Sequence, residues 1–299
     1  MGLNEILLIA AALLPAIVLL VYIYIKDRVE KEPLRLLLLL LFAGVVIIIP
    51  ILLFEILFGA IIDTSFGLVD LAEDADIASL LGPVNFRIYT AITMFIGVAL
   101  VEEFFKWLAM NLITRKNKNF NSLFDGLVYA IFVSLGFAAI ENVLYVLQNG
   151  WINAIMRAIM SVPGHMFFAV MMGYFYSLWH MNDKARSLEA KFKEMGVIRP
   201  MFSAFGSGAY RLRSIVVPVL MHGFYNYCCS VGSILETLLL IALVILFYIF
   251  SFKKIKKVSS DDASDIVYAV RMLHKKYPGI AAWAEENPDL YNSVIAESL

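Results

Sequence analysis

The sequence predicts an all-α membrane protein: a polytopic bundle of about seven transmembrane helices with a short soluble helical tail at the C-terminus. Three observations predict it. Of the 299 residues, 61% are hydrophobic and only 16% are charged, against roughly a quarter charged in an ordinary soluble domain, and the mean hydropathy is +0.81. The apolar residues come in runs near the roughly 20 residues that one crossing needs. The charges gather between these runs, so the net charge of −1 reports no partner; the lipid bilayer is expected around the chain and no nucleic acid. The two cysteines, Cys228 and Cys229, are adjacent within an apolar run. They cannot staple a fold, they lack metal-type spacing, and they read as small packing residues.

The elements follow in chain order. Leu3 to Ile25 is long enough to span. It lacks a basic leader and an A-x-A-like exit, so it reads as an anchor and not as a cleaved signal peptide. Lys26 to Pro33 is a charged turn, and Leu34 to about Gly59 is the second span. Asp63 to Pro83 is an acidic connection carrying Asp70, Glu73, Asp74 and Asp76. The third span runs from about Arg87 to Ile113 and ends on Arg115, Lys116 and Lys118. The fourth, about Leu123 to Leu147, turns at Gln148-Asn149-Gly150 into the fifth, about Ile152 to Trp179. A polar, basic connection from Asn182 to Arg213, part helical around Ala185 to Met195, leads to the sixth and seventh spans, Ser214 to Ser230 and Ser233 to Phe252. Four lysines between Lys253 and Lys257 close the membrane part. The chain therefore divides into a membrane domain, 1–255, and a tail, 256–299, with amphipathic spacing at Ile266, Ala269, Val270 and Leu273. Basic residues follow spans one, three, five and seven and are nearly absent after two, four and six. By the positive-inside rule the N-terminus lies outside and the C-terminus in the cytoplasm.

Charged side chains at membrane depth cost a few kcal/mol or more unless paired, so the polar residues inside the spans mark the chemistry. The third span holds Glu102, Glu103 and Lys106. Glu102 and Lys106 share a helix face at i,i+4, and Glu103 points about 100° away. The fourth holds Glu141 and Asn142, with Phe137 one turn before Glu141. The fifth holds His165 after Pro163-Gly164, and the sixth holds His222 and Asn226 on one face after Pro218. A lone intramembrane His or Asn is explained by an interhelical hydrogen bond; a set on four successive spans points to a functional site facing the interior. At about 1.5 Å per residue, Glu103, His165 and His222 reach mid-membrane together, while Glu141 falls further towards the outside.

Such a set suits hydrolysis. A carboxylate can take a proton from water, and imidazole or amide N–H groups can stabilise an oxyanion. Alternatively His165, His222 and Glu103 can hold a zinc ion with an open position for water, so the expected cofactor is none or a single divalent metal such as zinc. Other intramembrane protease arrangements are missing. There is no His-Glu-x-x-His, Ser207 lies in a connection, and no span carries two aspartates.

These residues resemble the PrsW family of intramembrane proteases, bacterial enzymes related to the CAAX prenyl endopeptidases and Abi proteins. Glu102-Glu103-Phe104-Phe105-Lys106 is similar to the family's E-E-x-x-K motif, and Phe137-Ala-Ala-Ile-Glu141-Asn142 to its F-x-x-x-E-N motif. His165-Met-Phe-Phe168 and His222-Gly-Phe-Tyr-Asn226 resemble its two histidine motifs, and the Asp27-x-x-Glu30-Lys-Glu32-Pro33 turn also matches. Asn226 stands where some members have Asp. The resemblance covers about residues 1–255. It implies cleavage of a membrane-anchored protein, an anti-sigma factor in the best-known case, in the inner membrane of a bacterial cell. On this chain it makes Glu102 or Glu103 the base, with His165, His222 and Asn226 orienting water or stabilising the oxyanion. Lys106 would keep one carboxylate charged, and Glu141 would play a supporting role. The competing readings are a proton- or cation-coupled transporter using Glu102, Glu103 and Glu141 as a relay, and a scaffold that has kept the fold.

Overall fold

A computed structural model describes residues 2–28, 30–68, 76–199 and 202–297. Its helices are α1 (Leu3–Lys26), α2 (Leu34–Val46), α3 (Ile48–Phe66) and α4 (Ile77–Ile92), then a π-helical segment (Thr93–Leu100) running into α5 (Val101–Thr114). They continue with α6 (Leu123–Ile159), α7 (Ser161–Glu194), α8 (Gly208–Val231), α9 (Ile234–Ser260) and three short tail helices, α10 (Asp265–Lys276), α11 (Gly279–Glu286) and α12 (Pro288–Ala296). The described residues contain no strand beyond an isolated bridge between Ser122 and Ser264. Of the acidic connection, Asp70, Glu73 and Asp74 lie outside the described residues, while Asp76 caps α4 by accepting from the Ser79 N–H at 3.2 Å.

Among the described residues, six helical stretches are long and apolar enough to cross a bilayer. The longest, Leu123–Glu194, has 72 residues and doubles back at Gly150, whose φ of 72° a residue with a side chain rarely adopts. The contacts across the fold-back run in mirror order about that point. Gly126 faces Gly173, the Ser134 hydroxyl donates to the His165 carbonyl at 3.0 Å, and Asn142 meets Arg157. With that stretch counted as two arms, the described residues offer seven apolar passes, the number that hydropathy predicts, with the arm of α6 before Gly150 and α7 packed as an antiparallel hairpin. A side chain on Gly173 would begin 2.2 Å from the Gly126 carbonyl oxygen and 2.6 Å from the Leu127 Cα, so only bare backbone permits this crossing.

α6 is the axis of the bundle: Phe124 through Ala138 are all buried, packed between α1, α2 and α7. The outer helices bury one stripe and present Leu, Ile and Phe outward; α3 buries only Ile51. α6 starts where a capping box forms. The Ser122 hydroxyl accepts from the Phe124 and Asp125 N–H groups at 3.2 and 3.3 Å, and Asp125 accepts from the Ser122 N–H at 2.7 Å, which satisfies donors that would otherwise be orphaned.

Three boundaries differ from the sequence expectation. α7 runs without a break past Trp179 to Glu194, so the helix expected around Ala185 to Met195 is its continuation. The reason is a covered apolar stripe: Ala185, Leu188 and Phe192 pack with Ile266, Ala269, Leu273, Ile280 and Val294 of the tail. α8 begins at Gly208, ahead of Ser214, and α9 continues through the lysines to Ser260. The boundary placed after residue 255 therefore falls inside a helix, because nothing in Lys253–Ser260 breaks it. The tail is pinned to the bundle where the Asp262 carboxylate accepts from the Phe124 N–H at 3.1 Å and Asp265 approaches Lys184 at 3.4 Å.

At the same end the Asp27–Pro33 turn tucks Glu32 inside. Its carboxylate accepts from the Tyr129 hydroxyl at 2.8 Å, and its N–H donates to Asp27 at 2.9 Å. Burial, and then the neighbouring Asp125, push the Glu32 carboxyl up to about 8. A carboxyl raised on folding contributes stability that is complete below its unfolded value of about 4.3 and is lost as pH rises through its folded value. The unfolding midpoint in detergent is accordingly expected to fall between pH 5 and pH 9, with a flatter profile in Glu32→Gln. The hairpin crossing makes a second prediction. Gly173→Ala should lower stability by about 1–3 kcal/mol through overpacking, whereas Gly206→Ala, with nothing within 4 Å of the added carbon, should leave the midpoint unchanged.

Candidate functional site

The polar residues of four helices converge on one ammonium group. α5 enters the bundle through the π-helical segment, where i→i+5 bonding widens the turn and re-aims the residues that follow. Glu103 and Lys106 emerge fully buried and Glu102 nearly so. The Lys106 Nζ donates to Glu102 Oε2 at 2.8 Å, Glu103 Oε1 at 2.9 Å and His165 Nδ1 at 3.2 Å. These three bonds use all the hydrogens an ammonium has, and Nζ also lies 4.2 Å from the centre of the Phe137 ring. The 100° between the two glutamates does not separate them, since the long lysine stem reaches both its i−3 and i−4 neighbours.

The bond partners assign the imidazoles. His165 Nδ1 accepts from Lys106, so its Nε2–H donates to Glu141 Oε2 at 2.9 Å. His222 Nδ1–H donates to Glu103 Oε1 at 3.0 Å, and its Nε2 accepts from the Asn226 amide at 3.1 Å. The His222 ring stacks on Phe168 at 4.8 Å and stands edge to face with His165 at 5.3 Å. Glu103 Oε2 is buried and has no hydrogen-bond partner among the described residues.

All nine residues singled out in the sequence sit in or against this cluster. Glu141, expected nearer the outside, meets His165 at 2.9 Å, with α7 starting afresh after Met160. Arg157 donates to Glu141 at 2.7 Å and to the Asn142 side-chain oxygen at 2.8 Å, while the Asn142 amide donates to the Ala12 carbonyl at 2.7 Å. Asn142 thus supports the site by tying Arg157 to α1. Two residues escaped the sequence reading, Arg157 and Glu55. Each is an isolated charge inside an apolar stretch, the same signal that marked Glu141.

The cluster forms the polar wall of a cavity of about 690 Å³, within the ligand-pocket range of roughly 300–1,000 Å³. Glu102, Glu141, His165, His222 and Asn226 line it, and Ile48, Leu52, Leu144, Tyr145 and Met156 supply apolar surface. Glu102 faces this space, whereas Glu103 and Lys106 lie behind it.

The same cluster matches the donor chemistry of a hydrolytic metal centre. One ligand atom from each of Glu102, Glu103, His165 and His222 lies within 4.8 Å of all the others, two imidazoles and two carboxylates are a zinc-type set, and Glu103 Oε2 keeps free lone pairs. The residues present fit such an ion, and the Lys106 ammonium is its competitor for the same oxygens.

Over residues 32–252 the sequence matches the family described as PrsW family intramembrane metalloprotease. Protease PrsW of Oceanobacillus iheyensis is 28% identical over 256 residues, 85% of this chain and 97% of that protein. Protease PrsW of Geobacillus kaustophilus is 32% identical over 220 residues, 74% of this chain and 78% of the relative. That of Bacillus subtilis is 28% identical over 254 residues, 85% and 96% of the two chains. No solved structure matches. The transporter and scaffold readings give way, and the chain belongs to the PrsW family of intramembrane metalloproteases.

Proposed function

We propose that the protein hydrolyses a peptide bond of a membrane-anchored protein drawn into the cavity, with Glu102 as the base that activates water. The observation that carries this reading is the placement of Glu102: its carboxylate lines the cavity while Lys106 grips one of its oxygens. Glu102 takes a proton from water, and the hydroxide adds to the scissile carbonyl carbon. The second N–H of the Asn226 amide, the one not spent on His222, faces the oxyanion that develops. The proton on Glu102 then passes to the departing amine nitrogen as the carbon–nitrogen bond breaks. Glu103 and His222 hold one another in register, and His165 links Lys106 to Glu141. A zinc ion held by Glu103, His165 and His222 would polarise the carbonyl and lower the cost of deprotonating water.

Orientation supports the substrate class. Gln148, Ser230 and Leu240 line the cavity near the bundle end opposite Arg115 and Lys253. With the basic connections in the cytoplasm of a bacterial inner membrane and the N-terminus outside, the cavity opens in the outer half of the bilayer. A first cut on the outer side of a single-span regulator, such as the anti-sigma factor implied by the family resemblance, fits that opening.

Purified protein in detergent, tested on a panel of single-span substrates, checks the mechanism. Glu102→Gln should lose about 10²–10⁴ in turnover with its unfolding midpoint intact, and Asn226→Ala about 10²–10³. Loss of cleavage to a chelator with recovery on zinc would assign Glu103, His165 and His222 as ligands; indifference to chelator would assign the direct route. Lys106→Met should instead unfold at markedly lower temperature, because it strands two buried carboxylates at a cost of about 3–5 kcal/mol.

A further inference from the structure

Glu55 is the one cavity-lining carboxylate with no partner among the described residues. Glu141 is paired with Arg157 and His165, and Glu102 with Lys106. Glu55 makes no hydrogen bond or ion pair, although it is half-buried at membrane depth. Its direction is set by its neighbours on α3. Phe54 packs on Phe105 of α5 at 5.5 Å, and Phe58 covers Gly97 of the π-helical segment. With these two rings clamped, Glu55 is turned to the cavity on the same stripe as Ile48 and Leu52, at i, i+4 and i+7. An apolar side chain would serve lipid contact better, and an intramembrane carboxylate without a partner is costly to keep.

Charge in the cavity is unbalanced in one direction. Among the described residues, three carboxylates, Glu55, Glu102 and Glu141, line it with Glu103 behind them, against one lining cation, Arg157, and Lys106 behind, both already engaged. A visitor with a negative side chain meets repulsion there, and one with a positive side chain supplies what Glu55 lacks.

We propose that Glu55 is a specificity residue that receives a lysine or arginine side chain of the substrate, so that the enzyme selects segments with a cation near the scissile bond. The inference rests on the protease reading above and names its substrate class. The pairing contributes to binding only for substrates that bring the cation, since only then is a desolvated charge satisfied.

The test uses full-length protein in detergent and labelled single-span peptides in which Lys, Gln or Glu is placed in turn at each position of the outer half of the span. Affinity is measured in a Glu102→Gln background, so that no cleavage interferes. At one register the Lys peptide should bind about tenfold more tightly than the Gln peptide, the size expected for a charge-assisted bond. Adding Glu55→Gln should bring that ratio to about one, and Glu55→Lys should invert it in favour of Glu. Equal binding of all three peptides at every register, or a lysine preference that survives both substitutions, overturns the proposal. Cleavage of the same peptides by the unsubstituted protein separates the two readings. Binding preference without cleavage defeats the protease mechanism and leaves the Glu55 assignment standing; cleavage with no charge preference defeats the Glu55 assignment alone.

Discussion

The site depends on a single ammonium group that must satisfy three acceptors from two helices with no help from water. Lys106 is fully buried, and an uncompensated charge there would cost several kcal/mol. Its three bonds, to Glu102, Glu103 and His165, turn that liability into a constraint: α5 and α7 can sit in only one relation if all three are to be made. The remaining bonds extend outward from this point. His165 passes the constraint to Glu141, Glu141 to Arg157, and Arg157 to Asn142 and so to the backbone of α1. Glu103 passes it to His222 and Asn226 on α8. Five helices are therefore held by a polar chain in a medium where apolar contact between helices competes with equally apolar lipid.

That polar chain also separates the two glutamates in space. Their side chains have the same chemistry and are adjacent in sequence, yet one borders the cavity and the other is sealed behind it with one oxygen unpartnered. The widened π-helical turn before them sets which of the two faces inward. A carboxylate that borders the cavity and a carboxylate sealed behind it can thus arise from one dipeptide, with the surroundings deciding.

Much of this was legible in the sequence, for a physical reason. In an apolar span each polar residue carries a cost, so Glu102, Glu103, Lys106, Glu141, His165, His222 and Asn226 stand out without knowledge of the fold. The seven passes were legible because length and charge placement agree. The pairing of Glu141 with His165 was not, because counting along the fifth span assumes one straight helix from Ile152, and this arm breaks at Met160. The length of α7 was not, because its polar-looking extension is stabilised by a partner, the tail, far away in the chain. Glu55 and Arg157 carried the same mark as Glu141, but only the packing of Phe54 and Phe58, and the salt bridge to Glu141, show where each one points.

The mirror order of contacts about Gly150 has a consequence for how such a chain can change length. Ser134 and His165 meet because each lies at nearly the same distance from the tip of the hairpin. One residue added to either arm would turn everything between it and the tip by about 100° and carry its half of the pair away from its mate. Additions at the tip itself would move neither. The hairpin acts as a vernier with its zero at Gly150, indifferent to what is hung on its end and intolerant of any slip along its scale.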